Sequence, residues 1–175
     1  VGATQYRISG VVTKIANEKY GNIYIKDFSG DVYIYGIKDF ADSNIKKGDI
    51  VTLVGPRDEY NGTPQMKNAV AEDVKSVKAT TVADFLAAEE SPSQYYQLTG
   101  TVSNIKNDIY GNFDITDESG KVYVYGLLTG WKGASKQFGS LGIVEGDKIT
   151  ICGVRASFNG SAQVGSAFFI SKVTE

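Results

Sequence analysis

Histidine is missing from the 175 residues, and cysteine occurs once. Without histidine there is no Ser-His-Asp or Cys-His triad and no His-bearing zinc centre. The lone Cys152 excludes an internal disulfide, and its place in the apolar run Lys148 to Val154 predicts a buried strand residue. G-x-S-x-G and P-loop patterns are absent as well, which removes the nucleophile elbow and the phosphate cradle. Carboxylates that act in pairs are not excluded, yet nothing marks one pair out. A non-enzyme without cofactor is therefore expected. Asp27, Asp31, Asp117 and Glu118 stand near tight turns, but no loop follows EF-hand spacing, so no metal site is assigned.

Charge of one sign is also scarce. Residues 1–78 hold 11 basic and 10 acidic side chains, residues 79–90 none and 3, and residues 91–175 hold 7 and 7. Proteins that bind by neutralising phosphates show a cationic field, so strong sequence-independent nucleic-acid binding is disfavoured. No apolar run approaches the roughly 18 residues that span a bilayer, and no transmembrane segment is expected. With Val1 first and no signal peptide, the chain reads as a processed protein or an excised fragment.

What is present is a duplication. YGNIYIKDFSGDVYIYG from Tyr20 returns at an offset of 90 as YGNFDITDESGKVYVYG from Tyr110. Further on the offset becomes 98, so that Gly48-Asp49, Arg57, Asn61-Gly62 and Gln65 return as Gly146-Asp147, Arg155, Asn159-Gly160 and Gln163. Repeats of this period are duplicated domains, since solenoid units run to roughly 20–50 residues. Two modules are expected: residues 1–78, and residues 79–175 with a leading helix (79–90) and an insertion between strands three and four (127–145).

Each copy alternates with period two. Ile23, Ile25, Val32 and Ile34 form one face, and Tyr24, Lys26, Tyr33 and Tyr35 the other. Asp27 to Asp31 is the turn of a β-hairpin, and Asn61-Gly62 the turn of a second one after Ile50 to Val54, with its return strand around Gln65 to Val70. Gly10 interrupts the long strand Tyr6 to Ile15, the signature of a sharp coil that lets one strand serve two sheets. A kinked strand, a hairpin, a connector with Phe40 and Ile45, and a last hairpin make the order of an OB-fold, whereas an SH3-like barrel places its long connection elsewhere. The fold class is all-β: two five-stranded OB-fold (Greek-key) barrels in tandem with a short helix between them. That helix, Thr80 to Glu90, is capped by Thr80 or Thr81, and its stripe of Val82, Phe85 and Leu86 is expected to plug the open end of the second barrel. No equivalent helix stands ahead of Tyr6; either it lies outside the sequence or the first barrel is closed by other means.

The recurring G-N-x-x-I-x-D-x-S-G, V-Y-x-Y-G, G-D-x-x-T-x-x-G and R-x-x-Y/F-N-G-x-x-Q resemble bacterial OB-fold domains of the nucleic-acid-binding, anticodon-binding-like type. T-V-A-D-F-L-A-A followed by Y-Y-Q-L-T-G resembles the opening of such modules in secreted or surface-lipoprotein chains of Gram-negative bacteria. The resemblance implies an exported protein: periplasmic, on the cell surface or secreted.

An OB barrel binds on the outer face of strands two and three and on the loops beside it. In the first module these are Lys19, Tyr20, Tyr24, Lys26, Tyr33, Tyr35, Arg57 and Tyr60; in the second, Tyr123, Tyr125, Arg155 and Phe158. Aromatic rings stack on bases, and Arg or Lys meets phosphates, so single-stranded nucleic acid is the first expected partner. Tyrosine is also a favoured strand residue whose cross-strand pairs stabilise a sheet with no ligand. Asp114 and Thr116 replace Tyr24 and Lys26 in the second copy, a change that repels phosphate and suits a neutral ligand. An oligosaccharide is the alternative partner, and a protein-interaction module the third. A monomer is expected. Trp131, in the insertion, either extends a binding surface or anchors the loop.

Overall fold

Period-two alternation produces the strands it predicts. The computed structural model describes residues 2–174, which divide into two compact units, Val1–Ser76 and Val77–Glu175.

In the first unit, β1 (Gln5–Asn17), β2 (Asn22–Asp27), β3 (Gly30–Ile37), β4 (Ile50–Tyr60) and β5 (Thr63–Lys75) close into a barrel of order β1-β2-β3-β5-β4. β1 pairs with β4 from Gln5 to Val11 and with β2 from Val11 to Asn17, the handover that the interruption at Gly10 predicts. A Cβ on Gly10 would lie 2.9 Å from the Lys26 carbonyl oxygen, so only glycine lets the two strands cross there. Ile23, Ile25, Ile34, Val51, Leu53 and Met66 fill the interior, while Lys26 and Tyr35 on the alternate positions are exposed. β5 runs well beyond the expected Val70, paired with β4 as far as Lys75.

The connector between β3 and β4 holds a single helical turn that periodicity does not announce, α1 (Phe40–Ser43). Its Phe40 is buried against Gly21, where a Cβ would stand 2.7 Å from the ring. One end of this barrel is thus closed by an aromatic side chain.

The second unit repeats the plan. β7 (Tyr95–Asn107), β8 (Asn112–Asp117), β9 (Gly120–Tyr125), β11 (Lys148–Phe158) and β12 (Ser161–Lys172) form the barrel, closed by β9 against β12 at Tyr123–Val124 and Gln163–Val164. Between Gly126 and Lys148 lie a short β10 (Leu127–Leu128) and a 3₁₀ turn (Phe138–Leu141). Phe138 takes the place of Phe40: it packs on Gly111, where a Cβ would come within 2.5 Å of its ring, and stacks on Phe113 at 5.7 Å. Trp131 anchors its loop, edge-on to Phe168 at 5.4 Å and to Tyr95 at 5.8 Å. Cys152 is buried in β11, and burial pushes its thiol up to about 12.

The leading helix is shorter than the sequence suggests. A strand, β6 (Val77–Ala79), first pairs in parallel with Tyr95–Gln97, and α2 spans only Val82–Ala87. Thr81 caps it by accepting the Asp84 amide at 3.2 Å. It stops where Ala88 turns to extended backbone (φ −71°, ψ 152°) and the Arg155 guanidinium takes the Leu86 carbonyl at 3.4 Å. Val82 and Phe85 are fully buried in the core of the second unit, and Phe85 meets Tyr96 edge-on at 5.5 Å. So short a helix has no stability of its own and exists because the barrel end takes up its apolar stripe. No helix among the described residues is long and apolar enough to cross a membrane.

Candidate functional site

The hairpin β2–β3 sets Tyr24 directly opposite Tyr33, and their rings meet with centroids 4.9 Å apart and planes tilted by 45°. Tyr35 follows on the same face, 6.5 Å from Tyr33. Burial, followed by the neighbouring Tyr24 and Tyr35, pushes the Tyr33 hydroxyl above its usual value, against a smaller downward pull from Asn22. Tyr24 and Tyr33 are half-buried by one another, whereas Tyr35 keeps 54% of its surface exposed. The accessible ring of the wall is therefore Tyr35.

A second free ring stands beside it. Tyr20, 57% exposed, and Tyr35 line a cleft of about 460 Å³ together with Asn22, Gly36, Lys38 and Asn68. Local hydrogen bonds build this corner: the Asn17 side-chain oxygen accepts the amides of Lys19 and Tyr20 at 2.9 and 3.1 Å. The Tyr20 carbonyl in turn accepts the Ile37 amide at 3.0 Å, tying the β1–β2 loop to the end of β3. Asn68 enters from β5 in the left-handed region (φ 49°), a conformation that asparagine tolerates better than most residues. The Lys19 ammonium lies 5.2 Å from the centre of the Tyr20 ring, within cation–π range.

The second unit carries the same cleft. Tyr110 and Tyr125 line about 510 Å³ with Asn112, Gly126, Ser135 and Ser166. Asn107 repeats the role of Asn17, accepting the amides of Ile109 and Tyr110 at 2.9 and 3.0 Å, and the Leu127 amide bonds to the Tyr110 carbonyl at 2.8 Å. Ser166 stands where Asn68 does and has the same φ of 49°. Among the described residues no charged side chain lines this second cleft, although the Lys136 ammonium lies 5.6 Å from the Tyr110 ring. Asp114 is buried, holds a hydrogen bond from the Asn104 side chain at 3.2 Å, and has the Lys121 ammonium at 4.0 Å. Burial, then Tyr125 and Asp114, pushes the Tyr123 hydroxyl up.

The other residues singled out in the sequence fall in several places. Lys26 is exposed across from Asp31 at the end of the wall. Arg57 and Tyr60 stand on the β4–β5 hairpin, both exposed; Phe158, the counterpart of Tyr60, is 68% exposed. Arg155 is turned to its own backbone and to α2, donating to the carbonyls of Ala156 at 2.6 Å and Leu86 at 3.4 Å. Asn22, Asn68, Tyr110, Asn112 and Ser166 are absent from the binding residues expected from the sequence. Tyr110 and Asn112 were within reach, as the counterparts of Tyr20 and Asn22 at offset 90. Asn68 and Ser166 were not, because backbone conformation selects them.

Chemically, the clefts offer flat apolar rings, amides and hydroxyls, which stack and hydrogen-bond. Among the described residues, no three of His, Cys, Asp or Glu lie together where they would hold a metal ion.

No protein-family model matches the chain. No curated protein matches it either. Among solved structures it is similar to the hypothetical protein ygiW from E. coli, at 19% identity over 55% of this chain and 90% of that one, with a TM-score of 0.42. It is similar to the tetrameric p202 HIN2, at 12% identity over 99% and 98% of the two chains and a TM-score of 0.43. A murine DNA-binding protein bound with double-stranded DNA is similar at 13% identity, 97% of each chain and a TM-score of 0.42. Likeness at this level carries no argument about what the chain binds.

Proposed function

We propose that the first unit binds short single strands of nucleic acid by stacking more than by charge. The observation that carries this reading is the pair of exposed rings, Tyr20 and Tyr35, which line one cleft together with Asn22 and Asn68. Each stacked base is worth roughly 1–3 kcal/mol, and amide groups satisfy the polar edges of a base. Lys19 and Lys38 supply cations beside the rings for the backbone; Lys26, at the end of the wall, and Arg57 and Tyr60, on the β4–β5 hairpin, are further exposed candidates. The chain acts in this reading as a monomeric binding module without catalysis.

Fluorescence polarisation with labelled DNA and RNA oligonucleotides at low salt tests it. Saturable binding that Tyr20→Ala and Tyr35→Ala both weaken is the expected result. A dissociation constant above roughly 100 µM, the weak end of non-specific binding, overturns it.

The second cleft favours another ligand. With Tyr110, Tyr125, Asn112 and two serines but no charged side chain in its lining, it suits a neutral oligosaccharide, whose C–H faces rest on rings and whose hydroxyls bond to amides. An exported placement goes with that reading. A glycan array is its test, with no hit on the intact chain as the opposing outcome.

A further inference from the structure

Of the nine asparagines in the chain, only Asn61 and Asn159 are followed by glycine, and both pairs form hairpin tips. Tyr60 pairs with Thr63 and Phe158 with Ser161, so each tip is a two-residue loop. Both residues of each loop have positive φ, 49° and 80° in the first and 49° and 79° in the second, the pattern of a type I′ turn. The turn explains why Asn-Gly stands there. It also sets up a reactive pair that neither cleft uses.

The carbonyl carbon of an asparagine side chain is an electrophile within reach of the next residue's amide nitrogen, and glycine has no Cβ to crowd the approach. Asn61, Gly62, Asn159 and Gly160 are all exposed. A Cβ built on Gly62 or Gly160 would meet no heavy atom within 4 Å, so each peptide has room to swing about the Asn Cα–C bond and bring its nitrogen onto Cγ. Among the described residues, neither the two asparagine side chains nor the two glycine amides hold a hydrogen bond. Other asparagines are restrained. The side chains of Asn17 and Asn107 each accept two amides, that of Asn104 donates to Asp114, and a residue with a Cβ follows each of them.

We propose that Asn61 and Asn159 are sites of spontaneous covalent modification, converting to aspartate and isoaspartate with water as the only co-reactant. Hydroxide takes the proton of the Gly62 amide, the nitrogen bonds to Asn61 Cγ, and Nδ2 leaves as ammonia with a proton from water, which closes a succinimide ring. Water then opens the ring at either carbonyl. One opening gives aspartate; the other runs the main chain through Cγ and gives isoaspartate, with a backbone longer by one carbon. Amide and water become carboxylic acid and ammonia, and nothing is oxidised or reduced. Gly160 closes the ring on Asn159 in the same way. At the first tip the new carboxylate joins Asp58 and Glu59 on the hairpin that carries Arg57, and it repels phosphate. That consequence rests on the nucleic-acid reading above; the modification itself does not.

The experiment ages the intact chain in mildly alkaline buffer, maps its peptides by mass spectrometry and quantifies isoaspartate. Exchange of NH₂ for OH at Asn61 and Asn159, release of ammonia, and a rate proportional to hydroxide are expected. Asn61→Gln should lose the first event and keep the second, which serves as the internal control. Asn61→Asp, the product made directly, should bind oligonucleotide about five-fold more weakly at low salt, the equivalent of one charge repelled at contact distance in water, and added salt should remove the difference. Conversion no faster at these two positions than at Asn17 and Asn107, or none in the time in which a synthetic peptide of residues 57–66 converts, overturns the proposal. Equal binding by Asn61→Asp overturns its effect on the ligand. Conversion in a chain that binds no oligonucleotide upholds the modification sites and removes the nucleic-acid reading alone.

Discussion

The carboxylate of Asp117 accepts the backbone amide of Val82 at 2.9 Å, fastening the first turn of α2 to the tip of the β8–β9 hairpin. The same carboxylate accepts from the Ser119 amide and hydroxyl and from the Gly120 amide. Burial pushes the Asp117 carboxyl up, but the hydrogen bonds from Ser119, Val82 and Gly120 together outweigh it and hold the group below the usual carboxylate range. Asp117→Ala should cost about 1–2 kcal/mol, as lost caps and hydrogen bonds do, and free α2. Thermal unfolding and amide exchange at Val82 to Leu86 measure both.

The sign of its pH dependence follows. A depressed carboxyl contributes stability that is present above its unfolded value and is lost as pH falls through its folded value. Acid titration of the second unit should therefore loosen α2 below the ordinary carboxylate range, and Asp117→Asn should flatten that part of the curve.

Tyr24 and Tyr35 should separate the structural from the binding role of the wall. Tyr35→Ala should weaken oligonucleotide binding by roughly 5- to 150-fold, the equivalent of one stacked base, with little change in unfolding midpoint. Tyr24→Ala removes a half-buried ring pair and should lower stability by about 1 kcal/mol or more, with the smaller effect on affinity. Polarisation and thermal melts on both variants give the contrast.

Phe40 and Phe138 should prove structural anchors. Replacement of either by alanine should cost about 3–5 kcal/mol, the range for a buried phenylalanine, and should also disturb the neighbouring cleft, whose Tyr20 or Tyr110 precedes the glycine that the ring contacts. Chemical denaturation reports the first effect and ligand titration the second.

Cys152 should be inert. With its thiol pushed up to about 12 by burial, the thiolate is scarce at neutral pH. A thiol-specific chromogenic reagent should react only on unfolding.

Much of the barrel architecture was legible because alternation and duplication are sequence properties. Ile23, Ile25 and Ile34 point inward wherever the strands go, and offset 90 carries the pattern to Phe113, Ile115 and Val124. Short elements were not legible. Phe40–Ser43 is one turn and Val77–Ala79 three residues, too short for any period to show. The tail of α2 was overestimated because Ala87 to Glu90 are acceptable helix formers, and only the guanidinium of Arg155 and the extended Ala88 end it. Arg155 itself shows why equivalence by repeat fails locally: Arg57 and Arg155 match in sequence, but α2 gives only the second a backbone carbonyl to bind. The clefts were half visible, their tyrosines in the alternation and their Asn68 and Ser166 hidden in a backbone bend.

The change of offset from 90 to 98 falls between Gly126 and Phe138, so the eight added residues enter ahead of the aromatic plug and leave its seat on Gly111 unchanged. That stretch tolerates length. The corresponding stretch of the first unit, between Ile37 and Phe40, is accordingly the natural graft point for an inserted epitope or fluorophore that reports on the Tyr20 cleft without opening the barrel.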